Sequence, residues 1–214
     1  MRVIAIDGPA GSGKSTVAKA LADRLGLDYL DTGAMYRSVT FAVLQRGVDP
    51  DDDAVVGQIA DALQIDLGPE RVLVEGTDAT AAIRGPEVSR TVSIVAANPL
   101  VRAAMVRRQR AWVSEREGGV LEGRDIGTVV FPDAELKVYL TADPAVRAQR
   151  RAQEVTDLDY DTVAADLARR DALDQGREDS PLTEATDAFV LDTSGLTVDD
   201  IIEVIAERLG NDDG

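Results

Sequence analysis

The chain has 214 residues and a formal net charge of −16, enough for one core with a small inserted subdomain. Acidity of this degree repels nucleic acid and anionic membranes, so neither is expected as a partner. Cysteine and histidine are both absent; this excludes disulfides, thiolate chemistry and the commonest general base, and leaves carboxylates, hydroxyls, lysine and arginine for any chemistry.

An apolar strand over residues 2–7 runs into Gly8, Pro9, Ala10, Gly11, Ser12, Gly13, Lys14, Ser15 and Thr16. The spacing of glycine, four residues, glycine, lysine and serine between a strand and a helix is that of a phosphate loop. Its glycines let successive N–H groups turn onto phosphate oxygens, its lysine reaches the outer phosphates, and the Ser15 hydroxyl suits Mg²⁺. The expected ligand is a nucleoside triphosphate. Only Met1 and one arginine precede this region, so removal of a secretory leader would remove the loop, and a cytoplasmic location is expected. Val17, Leu21 and Leu25 recur at helical spacing until Gly26.

A second strand is expected at 27–30, ending at Asp31, Thr32 and Gly33, followed by a helix over 35–46. After a helical pattern over 51–63, residues 64–67 and 71–75 alternate apolar and polar around Gly68 and Pro69, as a hairpin with one wet face would. Helices are expected over 86–97 and 99–117, the second rich in arginine. Strands at 120–122 and 136–140 follow, then a helix with Asp143 as N-cap and Pro144 at its first position. A last strand at 189–191 precedes a helix capped by Thr197, carrying Val198, Ile201, Ile202, Ile205 and Leu209 on one face and closed by Gly210. Five strands alternating with helices give an α/β fold: a five-stranded parallel sheet, helices on both faces, and the ligand at the carboxyl ends of the strands.

A phosphate loop serves switches, motors and kinases alike. The two asparagines, Asn98 and Asn211, do not begin the Asn-Lys-x-Asp pattern of a guanine reader, and the strand at 120–122 is short for a motor ATPase. A small-molecule kinase fits best. If its acceptor is itself a phosphate, the attacking oxygen is already ionised near neutral pH, with a second pKa of about 6, and no general base is needed. What is needed is positive charge around two phosphate groups in line. Of 23 cations 20 are arginine, and Arg37, Arg124, Arg147, Arg150, Arg151, Arg170 and Arg177 stand where such charge could serve. Arg107, Arg108, Arg116 and Arg208 read instead as solvated helix faces. Arg124 follows a strand between Gly123 and the Asp125, Ile126, Gly127, Thr128 run, a position typical of functional loops. Kinases of UMP, dTMP or shikimate, and a nucleotide-binding regulator without turnover, remain as alternatives on these grounds alone.

The phosphate loop with Ile6 and Asp7, the Asp31, Thr32, Gly33, Ala34, Met35, Tyr36, Arg37 segment, the run from Glu122 through Arg124 and Asp125 to Asp133, and Arg170 to Asp174 with Arg177 together resemble the bacterial cytidylate kinases over nearly the whole chain. The resemblance implies a nucleoside-monophosphate-kinase fold with a core, a monophosphate-binding insert at about 57–92 and a lid at about 147–160. It also implies phosphorylation of CMP and dCMP by ATP with Mg²⁺, by a monomer. By matching motif, Arg37, Arg124 and Arg177 would hold the acceptor phosphate; Thr32, Arg102 and Asp125 the cytosine; Ser93, Arg170 and Asp174 the sugar, with Tyr36 beside them. Lys14, Arg124, Arg177 and Arg151 would be catalytic, Arg147 and Arg150 would join Arg151 over the ATP phosphates, and Ser15 would bind Mg²⁺ with Glu122 acting through a water. The family often has serine where Thr32 stands and aspartate where Glu122 stands, so both groups keep their chemistry with a changed reach.

Overall fold

The computed structural model describes residues 1–68, 70–154 and 159–212. In chain order the elements are β1 (Arg2–Asp7), α1 (Lys14–Leu25), β2 (Tyr29–Asp31), α2 (Thr32–Gln45), α3 (Asp53–Ala62), β3 (Ile65–Leu67), β4 (Val72–Val74), β5 (Thr77–Asp78), α4 (Pro86–Val95), α5 (Pro99–Arg116), β6 (Gly118–Gly123), β7 (Leu136–Thr141), α6 (Pro144–Glu154), α7 (Tyr160–Gln175), β8 (Phe189–Asp192) and α8 (Val198–Asp212). A 3₁₀ turn lies at Ala82–Arg84 and a π-helical turn at Ile126–Val130. The chain divides into two compact units, Met1–Leu30 with Val113–Gly214, and Asp31–Trp112.

The first unit is built on a sheet of order β2, β6, β1, β7, β8. β1 is parallel to β6 and to β7, and β7 to β8. All of Val3 to Asp7 are buried, as expected of a central parallel strand covered on both faces. Alternate residues Ile4 and Ile6 of β1, Val120 of β6, and Leu136, Val138 and Leu140 of β7 share a core with Val17 and Leu21 of α1 and Ile201, Ile205 and Leu209 of α8. The period of two along the strands meets the period of about 3.6 along the helices, which is the condition for a helix to lie on a sheet. A second cluster joins Ala10 of the phosphate loop to Ala148 of α6 and to Val163 and Leu167 of α7.

Several boundaries differ from expectation for identifiable reasons. α2 begins at Thr32 rather than near 35, because Asp31 ends β2 and caps the helix, accepting from the Ala34 N–H at 2.8 Å. Gly210 does not close α8, which continues to Asp212. The Asp143 cap is present, its Oδ1 accepting from the Ala145 N–H at 2.8 Å. At Thr197 the cap is reciprocal: the hydroxyl accepts from the Asp200 N–H at 3.2 Å while the Asp200 carboxylate accepts from the Thr197 N–H at 2.9 Å, a capping box with aspartate in the acidic position.

The second unit has α2 at its centre, with Val39 and Val43 buried alongside Val56 and Ala60 of α3 and Val88, Val92 and Val95 of α4. Its sheet is an antiparallel meander of β3, β4 and β5. The β4 to β5 turn, at Glu75 and Gly76, carries positive φ at both residues, 50° and 77°, the geometry that matches strand twist in a two-residue hairpin. Pro69, expected in the turn between β3 and β4, lies outside the described residues, as do residues 155–158 of the expected lid.

Candidate active site

The phosphate loop turns on glycines that no other residue could replace. Gly8 has φ +146°, and a Cβ there would lie 2.0 Å from the Leu140 carbonyl oxygen; at Gly11, with φ +76°, it would lie 2.9 Å from that of Arg147. The first therefore fixes how closely the loop passes β7, and the second how closely it passes α6. Gly13, also at positive φ, leads into α1, whose first turn presents unpaired N–H groups and the positive end of its dipole. Lys14 lies back along this loop and donates to the Pro9 carbonyl at 2.6 Å and to Ser12 Oγ at 3.4 Å. Burial, and then repulsion from Arg124, push its ammonium down to about 7.

Beside Lys14 stands a cluster of arginines from the β6 loop, α7 and the turn that follows α7. Arg124 donates through Nε to Asp174 Oδ2 at 2.9 Å, and Arg177 donates to the other oxygen of the same carboxylate. Burial alone would push Asp174 up, but Arg124 and Arg177 hold its carboxyl below the ordinary range. Arg170 is pushed down to about 10 by burial and by Arg124, and its buried Nε has no hydrogen-bond partner among the described residues. Asp174 anchors two of the guanidiniums, and Glu122, Asp7 and Asp171 also act on the cluster; guanidiniums gathered in this way suit anions.

The β6 loop is held from the phosphate-loop side by Asp7. Its two oxygens accept from the Ile126 N–H at 2.9 Å and the Gly127 N–H at 2.8 Å. Those are the first residues of the π-helical turn, whose 2.7 Å bond from the Phe131 N–H to the Ile126 carbonyl spans five residues. Burial pushes Asp7 up to about 6, although the two N–H donors act against that. Asp125, adjacent to this turn, is buried.

Glu122, the next to last residue of β6, is buried and bridges two hydroxyls. Ser15 Oγ donates to its Oε2 at 2.9 Å, and the Tyr29 phenol donates to Oε1. Only oxygen donors meet here, which suits Mg²⁺. Among the described residues no group of three acidic side chains could hold a cation unaided, and a Mg²⁺ ion that keeps waters and shares the phosphates of its nucleotide requires none.

The arginines expected above the donor are held by protein partners. Arg147 pairs with Asp171 of α7 and donates to the Ala10 carbonyl at 3.2 Å. Arg150 donates to the Thr193 carbonyl at 2.7 Å and to its Oγ1 at 2.9 Å, and the Thr193 hydroxyl lies 3.1 Å from the Ser12 carbonyl. Arg151 is half-buried on α6. In the second unit Arg37 donates to the Ile83 carbonyl at 3.0 Å and to Ser89 Oγ at 2.9 Å. Arg102 is buried with its guanidinium 5.8 Å from the centre of the Tyr36 ring, and Thr32 and Ser93 are buried. Asn98 caps α5 through bonds to the Leu100 and Val101 N–H groups at 2.9 and 3.3 Å, and so fixes the turn that carries Arg102.

The first unit thus gathers Lys14, Ser15, Glu122, Arg124, Asp125, Arg170, Asp174 and Arg177; the second carries Thr32, Tyr36, Arg37, Ser93 and Arg102. No site role was read from the sequence for Asp7, Tyr29, Asp171, Thr193 or Asn98, although Asp7 and Asp171 lie within the motifs that carry the resemblance. Of the others, only the Asn98-Pro99 pair carried a local signal, that of a capped helix start.

No helix among the described residues is long and apolar enough to cross a membrane. A gluconokinase from Sinorhizobium meliloti 1021 superposes with a TM-score of 0.51 over 98% of this chain and 92% of its own, at 13% identity, which bears on the α/β fold alone. The bifunctional pantoate ligase/cytidylate kinase of Parasynechococcus marenigrum (strain WH8102) is 49% identical over 216 residues, 96% of this chain and 43% of that protein. This chain accordingly spans less than half the length of such bifunctional relatives. The cytidylate kinase of Solibacter usitatus (strain Ellin6076) is 48% identical over 209 residues, 95% of this chain and 90% of its own. With the sequence profile of cytidylate kinase matching residues 4–211, the chain belongs to the cytidylate kinase family.

Proposed function

We propose that this chain transfers the terminal phosphoryl group of ATP to CMP and dCMP, giving ADP and CDP or dCDP. The observation that carries the reading is the convergence of the phosphate-loop lysine with Arg124 and Arg170, close enough for both to depress the Lys14 pKa. A donor-phosphate lysine and an arginine cluster in one electrostatic neighbourhood suit a reaction between two anions. The acceptor phosphate arrives ionised, with a second pKa of about 6, so the absence of histidine costs the reaction nothing.

Arg124 and Arg177, oriented on Asp174, bind the acceptor phosphate together with Arg37, and Arg170 and Ser93 bind the sugar with Asp174. Asp125 accepts from the cytosine amino group while Arg102 and Thr32 meet its ring acceptors. Uracil would set a carbonyl oxygen against the carboxylate, a mismatch of about 1–3 kcal/mol. Ser15, directly, and Glu122, through a water, would hold Mg²⁺, which would supply charge neutralisation to the polyphosphate. The monophosphate-binding insert at about 57–92 is flanked by Arg37 before it and by Ser93 and Arg102 after it, and the lid at about 147–160 brings Arg151, with Arg147 and Arg150, towards the donor phosphates and excludes water. The protein is proposed to act as a cytoplasmic monomer.

The test is ADP release from ATP and Mg²⁺ with CMP, dCMP, UMP, dTMP and AMP offered separately. Preference for CMP and dCMP is expected. Preference for another monophosphate would keep the kinase and discard the base site, and no turnover with any of them would overturn the reading.

A further inference from the structure

Tyr29 opens β2, the edge strand beside β6, and its side chain meets Glu122, one of the two groups expected on the metal side. Its phenol donates to Oε1 of Glu122, while Oε2 accepts from Ser15. The tyrosine ring packs against the core shared by α1, β1 and α8. Lys19 Nζ sits 5.5 Å from the ring centre, a cation over an aromatic face. Ser15 and Lys19 are four residues apart on α1 and so lie on one face of that helix. The tyrosine therefore returns to α1 twice, by its ring face to Lys19 and by its hydroxyl, through Glu122, to Ser15.

We propose that Tyr29 is a positioning residue for the divalent cation that accompanies the nucleotide, its phenol clamping the Glu122 carboxylate in the orientation shared with Ser15. The inference rests on the reading of Ser15 and Glu122 as the metal-side groups. A buried glutamate has three side-chain torsions, and one hydroxyl on each oxygen fixes its plane. Mg²⁺ demands near-octahedral geometry and tolerates a misdirected oxygen poorly. Partners that orient groups around a metal commonly change its affinity by about 10- to 100-fold when removed. Where the family often has an aspartate, Glu122 reaches one methylene further, so its carboxylate has an extra torsion for Tyr29 to hold.

The test uses Tyr29→Phe, which removes only the hydroxyl and keeps the ring against the core. Mn²⁺ serves as the probe: free Mn²⁺ is counted by electron paramagnetic resonance in the presence of protein and ADP, and ADP binding is measured separately in EDTA. The expected result is Mn²⁺ binding weakened about tenfold, with ADP affinity in EDTA within twofold of the parent. If ADP affinity in EDTA falls in parallel, the hydroxyl merely supports the loop and the proposal is overturned. If Tyr29→Phe leaves Mn²⁺ affinity intact while Glu122→Gln weakens it, the metal reading stands and the role given to Tyr29 fails. If neither substitution moves Mn²⁺, the reading of Glu122 fails and takes the proposal with it.

Discussion

Nucleotide binding should draw a proton onto Lys14. Burial and the Arg124 charge bring its ammonium down to about 7, from an ordinary value of about 10.4. A polyphosphate beside it adds the opposite charge and drives the pKa back up. At pH 8 a group with a pKa of 7 carries about 0.1 proton, so binding should take up roughly 0.9 proton per site, and at pH 6 only about 0.1. Apparent affinity should correspondingly fall by up to about tenfold per pH unit above 7, or about 1.4 kcal/mol per unit, until the bound-state pKa is reached. Calorimetric titration of ADP without metal at pH 8, in two buffers of different ionisation enthalpy, reads the uptake directly. ADP's own terminal phosphate is already deprotonated there. Lys14→Met should abolish the uptake. Zero uptake by the parent protein at pH 8, or the same uptake in Lys14→Met, would refute the argument.

Asp7 should make its own contribution to stability fall as pH rises. Its folded value of about 6 exceeds the ordinary 3.8, so between those values the folded chain holds more protons than the unfolded one. Denaturant unfolding at pH 4.5 and 7.5 should therefore show parent minus Asp7→Asn larger at pH 4.5 by about 2 kcal/mol; an equal difference at both would contradict the assignment. Asp174→Asn should cost about 3 kcal/mol, because it takes the shared, buried carboxylate from two half-buried arginines, and urea unfolding measures it; a loss below about 1 kcal/mol would mean that the arginines need no common anchor. Gly8→Ala should cost more than about 3 kcal/mol, since its Cβ would meet the Leu140 carbonyl at 2.0 Å. A thermal melt unchanged from the parent would show that the loop passes β7 at a greater distance.

Strand, loop and first helix were legible because each is written locally: apolar run, glycine spacing, amphipathic period. The start of α2 was not, because Gly33 reads as a breaker while Asp31 acts both as strand end and as cap. β5 escaped for its length, two residues whose pairing with β4 depends on a turn at Glu75 and Gly76. The π-helical turn was invisible for a different reason: its first N–H groups are held by Asp7, distant in sequence, and no local pattern encodes a long-range acceptor. The candidate site divides the same way. Motif residues stood out, whereas Tyr29 and Thr193 act only through the partners that the fold supplies.

The strand order sets the order in which the protein can become functional. β1 pairs on one edge with a strand that starts at Gly118 and on the other with one that starts at Leu136. During synthesis its buried-type residues from Val3 to Asp7 therefore stay open on both edges while Asp31–Trp112, a contiguous unit, can complete its own contacts. Closing so long a loop is slow, and an apolar strand waiting for its neighbours invites pairing with other chains. Affinity for nucleotide should consequently emerge in a single late step, when β7 docks and the Leu140 carbonyl comes to rest against Gly8.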